Sequence, residues 1–304
     1  MKLFIIGNGF DKAHGLPTSY WDFRTFLENR YPDFLYTFEE LYYIYPNSDI
    51  AAKYKLLWNE LETNLANIDE NVIVEQAVSI DMDLESGDIG IEDTLYGYFS
   101  EEYGYIRQLA RYLKQWIRTI RIRDLRRKTS MINCENDAIY INFNYTAILE
   151  TTYKIPVDKI THIHGSLHEE YGELVLGHGN KTRIEKIQEK QEASEKLFDE
   201  KESSIFKAIK DYYLRTYKDI NKYMHKVHIL AGKEIEEIFI VGHSLSGVDM
   251  PYFKNIDNLT SRKANWKVYY FEEYERKRMQ DSLTSCGINK ARIIMAQSDK
   301  FYDL

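Results

Sequence analysis

The first ten residues constrain the fold most strongly. The apolar run Leu3–Ile6 leads directly into Gly7-Asn8-Gly9. A short apolar run that ends in glycines is typical of a buried strand in a parallel sheet. A glycine turn between a strand and a helix lets backbone N–H groups approach a phosphate or a ribose closely. Ordinary strand-to-helix turns carry the same residues, so the loop alone leaves both interpretations open.

Similar runs recur in the second half of the chain, and several end in polar loops. The predicted strands are Asp137–Asn142, Lys159–Gly165, Glu173–Asn180, Glu234–Val241, Trp266–Phe271 and Ala291–Ala296. Helical patterns separate them, which predicts an α/β protein with a mostly parallel, Rossmann-like sheet and helices on both faces. Ligands of such sheets bind outside the carboxyl ends of the strands. The residues expected at those ends are Asn8, Asn144, His164, His178 and Ser244.

Two stretches interrupt the alternation of strands and helices. Residues 31–129 show only helical spacing, and residues 181–230 are highly charged. We therefore predict a core of residues 1–30 and 130–304, a helical insertion over 31–129 that could cover the ligand edge, and a helical arm over 181–230. Glu60 and Glu62 lie in the insertion, where we expect them to be solvated charges rather than acid–base groups.

Charge and composition exclude several classes of protein. The net charge of −8 argues against broad electrostatic binding to nucleic acid or to an acidic membrane. A basic run follows an apolar helical stripe, and it includes Arg107, Arg111, Lys114, Arg118, Arg121, Arg123, Arg126, Arg127 and Lys128. We interpret this run as a solvated face that balances the acidic stretch 81–93, with a nucleotide or nucleic-acid surface as the alternative.

The remaining composition is that of a cytoplasmic protein. The two cysteines, Cys134 and Cys286, exclude a disulfide framework and a four-cysteine zinc site within one chain. Leu3–Ile6 is too short for a signal peptide or a membrane span, so we expect neither. We also expect a homo-oligomer and no nucleic-acid partner.

Several polar residues have simpler explanations than catalysis. Asn144 could cap a helix that begins near Thr146. The histidines at 162, 164, 168 and 178 could bind a metal, but they lack the spacing of a known ligand set, and we expect no metal. Ser244 lies in a segment similar to a nucleophile elbow, although the second glycine is displaced to Gly247.

Several segments together resemble the AbiH family of bacteriophage abortive-infection proteins. They occur in the family's order and cover most of the chain: Phe4–Asp11, His14–Tyr20, Trp58–Glu62, Asn142–Thr146, His162–Ser166 and Gly242–Asp249. More distantly, the order of loops is similar to that of the sirtuin-like nucleotide-binding fold. That fold has a glycine loop, an asparagine loop, a catalytic His-Gly and a Gly-x-Ser loop.

The sirtuin-like resemblance implies a role for each matching residue. Gly7, Asn8, Gly9 and Phe10 would line a dinucleotide, and Gly242, His243 and Ser244 would lie on its ribose side. Asn144 would match the sirtuin-like asparagine and His164 the catalytic histidine, with Asp11 close by. Two features depart from the pattern: Thr146 replaces the usual aspartate, and two cysteines cannot form the zinc ribbon of the deacylases. Lysine deacylation is therefore doubtful, and hydrolysis of the dinucleotide is the better inference.

The resemblance thus implies a phage-defence effector that hydrolyses NAD, its substrate, at the nicotinamide–ribose bond. His164 would act as the base, Asn144 would position the nucleophile, and Asp11 would order the water or a ribose hydroxyl. A phage-derived trigger would activate the protein. Two alternatives stay open: a non-catalytic sensor of NAD or ADP-ribose, and a nuclease that uses the basic helix and the histidines.

Overall fold

The computed structural model describes residues 1–79, 104–167 and 174–304. Within them, a single sheet contains six parallel strands in the order β3-β2-β1-β4-β5-β6. The strands are β1 Lys2–Ile6, β2 Ala138–Asn142, β3 Ile160–His162, β4 Glu237–Val241, β5 Asn265–Tyr270 and β6 Ile293–Gln297. This is the Rossmann strand order, with its topological switch point between β1 and β4. The predicted α/β class and parallel sheet are confirmed.

The described residues also contain α-helices. In chain order they are α1 Asn8–Ala13, α2 Tyr20–Arg30, α3 Pro32–Glu40, α4 Ile50–Leu56, α5 Leu61–Asn64, α6 Glu70–Ser79, α7 Gln108–Thr119, α8 Ile148–Thr151, α9 Lys181–Lys196, α10 Glu200–Arg215, α11 Met250–Leu259 and α12 Glu273–Ser285. A 3₁₀ segment spans Ile220–Leu230. No helix in the described ranges has both the length and the apolar character that crossing a bilayer requires.

The chain forms two compact units. The first contains Met1–Ser19, Leu113–Val175 and Asp219–Leu304, and therefore the whole sheet. The second contains Tyr20–Tyr112 and Leu176–Lys218. The core, insertion and arm boundaries expected from the sequence stay predictions.

The sheet is buried on both faces, which explains why its strands are almost continuously apolar. Leu3 and Ile5 of β1 belong to one hydrophobic cluster, which includes residues of α11 and α12. Phe4 and Ile6 belong to the cluster on the opposite face. Phe4 stacks between rings of the two neighbouring strands, with centroid distances of 5.3 Å to Tyr140 and 4.8 Å to Phe239.

One predicted strand is wrong. Of Glu173–Asn180, the described residues 174–180 form no strand of the sheet, and only His178 makes a backbone bridge, to Tyr217. This segment instead packs tightly on the chain that follows α10. A Cβ atom on Gly177 would lie 2.5 Å from the carbonyl oxygen of Thr216. The short apolar run Leu174–Leu176 matched a strand, but the segment pairs with backbone outside the sheet.

The second unit is built around buried carboxylates. Glu39 accepts hydrogen bonds from Arg24 Nε at 2.7 Å and from Trp58 Nε1 at 2.7 Å. Glu62 accepts from Tyr20 Oη at 3.0 Å and from the buried Lys218 Nζ at 2.9 Å. The expectation that Glu62 is a solvated charge is therefore wrong, because it compensates a buried lysine.

The basic run faces solvent, as the sequence indicated. Arg107, Arg111, Arg118, Arg121 and Arg123 are all exposed, and Lys114 is half-buried. The acidic stretch 81–93, which we expected this run to balance, lies outside the described residues.

Candidate functional site

Strand register brings four loops to one edge of the sheet. Ile6 of β1 pairs with Asn142 of β2 and with Val241 of β4, and Asn142 pairs with His162 of β3. These four residues all end their strands. The loops that follow them therefore begin at the same level, at the edge where parallel α/β sheets bind ligands.

Asp11, from the helix that follows β1, meets Asn144, from the loop that follows β2. Asp11, in α1, is buried, and its Oδ1 accepts a hydrogen bond from Asn144 Nδ2 at 2.9 Å. Its Oδ2 accepts from Thr146 Oγ1 at 2.7 Å. Burial raises the pKa of Asp11 to about 7, although both hydrogen bonds oppose the rise. At neutral pH this carboxyl is therefore poised between its acid and base forms.

Asn144 is held by its own loop and by the glycine loop. Asn142 Oδ1 accepts from the Asn144 backbone N–H at 3.0 Å, and Asn144 Nδ2 also donates to Gly7 O at 3.1 Å. The capping alternative is wrong, because α8 begins after Ala147 and has no side-chain cap. Thr146, a departure from the sirtuin-like pattern, holds the carboxylate of Asp11 instead of supplying one.

His164 forms a carboxylate–histidine pair with Asp249. The distance from His164 Nε2 to Asp249 Oδ1 is 3.0 Å, and the imidazole is buried edge-on to Phe143 with ring centroids 5.3 Å apart. Asp249 directly precedes α11. An imidazole that donates Nε2–H to a carboxylate keeps Nδ1 as its basic nitrogen, so the pair fixes the tautomer that accepts a proton.

His162 forms a second pair of this kind. Its Nε2 lies 2.8 Å from Glu150 Oε1, and its Nδ1 lies 3.2 Å from the carbonyl oxygen of Asn144. Reasoning from the sequence missed both carboxylates. Two signals could have indicated them: Asp249 closes the motif Gly242–Asp249, and Glu150 follows Thr146 at the helical spacing of four residues.

The predicted cofactor-binding glycines are in contact with each other. A Cβ on Gly7 would lie 2.6 Å from His243 Cα, and one on Gly9 would lie 2.7 Å from Gly242 Cα. Gly242 has φ +69, and a Cβ there would lie 2.2 Å from the Phe10 nitrogen. Close packing of two loops across the switch point therefore accounts for all three glycines. Their binding to a nucleotide stays a prediction.

The other predicted cofactor-binding residues differ in exposure. Asn8 is exposed, and its Nδ2 donates to Thr18 O at 2.8 Å. The Phe10 side chain is fully buried, so it belongs to the core. His243 is buried, and its Nδ1 accepts from the Leu245 N–H at 3.0 Å. Ser244 is exposed, with its Oγ 2.9 Å from that of Ser246.

The histidines do not gather as one group. His178 belongs to the second unit, so its expected place at a strand end is wrong. It is fully buried between the backbone groups of Tyr213 and Asn180, and burial lowers its pKa to about 4. His168 lies outside the described residues. In the part of the chain that is described, no three His, Cys, Asp or Glu side chains form a group that could hold a metal ion.

The sheet order and these loops define a doubly wound α/β protein with a polar cluster at the carboxyl edge of its strands. The family described as "Bacteriophage abortive infection AbiH" matches residues 3–270. The chain therefore belongs to this family, which associates it with abortive infection by bacteriophage. No curated protein matches the chain, and no solved structure matches it. The sirtuin-like resemblance stays a prediction.

Proposed function

We propose that this protein is an abortive-infection effector that hydrolyses NAD at the nicotinamide–ribose bond. One observation carries the proposal: the Asp11–Asn144 pair and the His164–Asp249 pair lie in segments that follow the strands β3, β2, β1 and β4, which are consecutive in a Rossmann-ordered sheet. Dinucleotides bind across this edge in other proteins with the same strand order. The pairs supply a proton acceptor and an amide, and both groups suit the reaction.

The reaction needs little covalent help from the protein. Water attacks C1′ of the nicotinamide ribose while the C1′–N bond breaks. The bonding electron pair passes to the nicotinamide ring, which leaves neutral, and the water loses one proton. The products are nicotinamide, ADP-ribose and a proton. The protein must therefore position the water and the ribose and accept the proton.

The residues divide these tasks by their chemistry. His164, held by Asp249, accepts the proton from the attacking water. Asn144 orients the water or a ribose hydroxyl through its Oδ1, which accepts a hydrogen bond, because both N–H groups of its amide already donate to Asp11 and Gly7. Asp11 fixes Asn144, and its raised pKa leaves it able to hold a ribose hydroxyl or relay a proton near pH 7. A carboxylate there also favours the positive charge that develops on the sugar.

The test compares release of nicotinamide by wild type and by His164→Ala, Asp249→Asn and Asn144→Ala. His228→Ala is the matched control, because His228 is an exposed histidine of the same unit. We expect loss of 10²-fold or more for the site variants and no change for the control, on the order expected for acid–base groups. A resting effector can be silent, so NAD is also measured in infected cells that express each variant.

Two results would contradict the proposal. One is phage protection by wild type while cellular NAD stays constant. The other is equal nicotinamide release by wild type and His164→Ala. Binding of NAD or ADP-ribose by calorimetry, without turnover even in infected-cell extract, would instead indicate a nucleotide sensor.

A further inference from the structure

Residues 118–128 of the first unit concentrate positive charge, and we name this segment the basic strip. Six of its eleven residues are basic and one, Asp124, is acidic, so the strip carries a net charge of +5. The whole chain carries −8, and the remainder of the chain therefore carries −13. The overall charge argued against a nucleic-acid partner, but it conceals this local concentration.

The fold presents these cations to solvent on an anchored backbone. Ile120, Ile122 and Leu125 pack against the hydrophobic cluster on one face of the sheet. The basic residues between and beside them are exposed: Arg118, Arg121, Arg123, Arg126, Arg127 and Lys128. The apolar residues thus act as anchors, and the charged residues project from a fixed base.

The charge of the strip is not neutralised by ion pairs within the part of the chain that the structure describes. None of its six cations forms an ion pair with another residue in the described ranges. The acids beside it are Asp124 and, at its end, Asp303, which accepts from the Ser130 N–H at 2.7 Å. Positive charges at this density repel one another, and a bound polyanion would relieve that repulsion.

The chemistry of the strip favours a phosphate backbone. Five of the six cations are arginines, whose planar guanidinium groups bind phosphate oxygens in pairs. A lipid surface fits less well, because the apolar residues of the strip point into the core and leave no face to enter a membrane. We propose that the basic strip binds nucleic acid through its phosphate backbone, without sequence specificity.

The strip is connected to α1, the helix that carries Asp11, through Tyr153 and His14. Arg127 donates to the carbonyl oxygens of Thr152 and Tyr153, each at 3.1 Å, and the Lys128 N–H donates to Tyr153 Oη at 3.1 Å. Tyr153 Oη lies 2.7 Å from Nε2 of His14, the capping residue that directly follows α1. A ligand that displaces Arg127 or Lys128 therefore shifts Tyr153 and, through it, the helix that carries Asp11.

This connection makes the strip a sensor of nucleic acid. We expect nucleic acid bound at the strip to alter the structure or stability of α1, whatever the activity of the protein. An effect of that binding on NAD hydrolysis rests in addition on the proposed function.

The binding experiment uses fluorescence anisotropy with the full chain and a labelled 20-mer as duplex DNA, single-stranded DNA and RNA. With about five phosphate contacts to duplex DNA, the affinity falls roughly 500-fold between 50 and 200 mM salt. Changing Arg121, Arg123 and Arg126 together to Gln weakens binding and lowers the salt slope by about three, because each lost contact contributes about 0.9. The matched control changes Lys254, Lys263 and Lys277 to Gln, which removes the same charge from exposed positions of the same unit.

The outcomes separate the inference from the proposed function. Equal loss of affinity in the two triple variants, absence of binding at 50 mM salt, or binding only to anionic phosphatidylglycerol vesicles would each overturn the nucleic-acid surface. Circular dichroism of each variant checks that it is folded. The coupling predicts faster or slower amide exchange in residues 8–14 on binding, and unchanged exchange would refute it. Binding with altered exchange but without nicotinamide release would leave this inference standing and refute NAD hydrolysis.

Discussion

The buried carboxyl of Asp11 makes the stability of the protein depend on pH. In the unfolded chain this group ionises near 3.8, whereas burial raises its pKa in the folded protein to about 7. Below pH 3.8 the group is protonated in both states. Between pH 3.8 and 7 only the unfolded chain releases the proton, so the free energy of unfolding falls as the pH rises.

The size of this effect follows from the shift in pKa. One pKa unit is worth about 1.4 kcal/mol, so the rise from 3.8 to about 7 costs roughly 4 kcal/mol above pH 7. Asp11→Asn removes the cost and keeps the contacts, because its amide accepts from Asn144 Nδ2 and donates to Thr146 Oγ1. We expect the variant to match wild type near pH 4 and to exceed its stability by up to about 4 kcal/mol at pH 8.

Urea unfolding followed by circular dichroism at pH 4 to 8 measures the difference between the two proteins. Asp158→Asn is the control, because Asp158 is an exposed aspartate of the same unit. A second variant, Thr146→Val, removes a hydrogen bond that lowers the pKa of Asp11, so the loss of stability should extend to higher pH. Parallel stability curves for wild type and Asp11→Asn would refute the reasoning.

Two further predictions concern a closely packed glycine in the first unit and a buried histidine in the second. Gly242→Ala, with φ +69 and a Cβ 2.2 Å from the Phe10 nitrogen, should cost more than about 3 kcal/mol. Gly287→Ala has φ +90 but open space around the Cβ, so about 1 kcal/mol is expected, and similar urea midpoints would contradict the close-packing argument. Burial lowers the pKa of His178 from 6.5 to about 4, so between these values only the unfolded chain binds the proton. The free energy of unfolding therefore falls by roughly 3 kcal/mol as the pH falls from 6.5 to 4. His178→Gln should show no such acid loss in unfolding free energy, and an unchanged loss would exclude His178 as its cause.

The pattern of apolar and polar residues along the chain predicted features that depend on sequence neighbours, such as the strands and the polar residues that follow them. Leu3–Ile6 was identifiable because a strand covered on both faces must be apolar throughout. Asn144 and His164 were placed at the correct edge because they follow strands, and parallel strands end together. The same reasoning failed for Glu173–Asn180, since a short apolar run that ends in glycine does not show which surface the segment joins.

The sequence by itself determined a parallel α/β sheet and the polar residues that follow its strands. Only the tertiary structure decided which of those residues meet. Asp249 reaches His164 across 85 positions of sequence, and Asp11 reaches Asn144 across 133. Such pairs depend on the strand order β3-β2-β1-β4, which local propensity does not encode. The raised pKa of Asp11 likewise comes from burial, and burial is a property of the assembled fold.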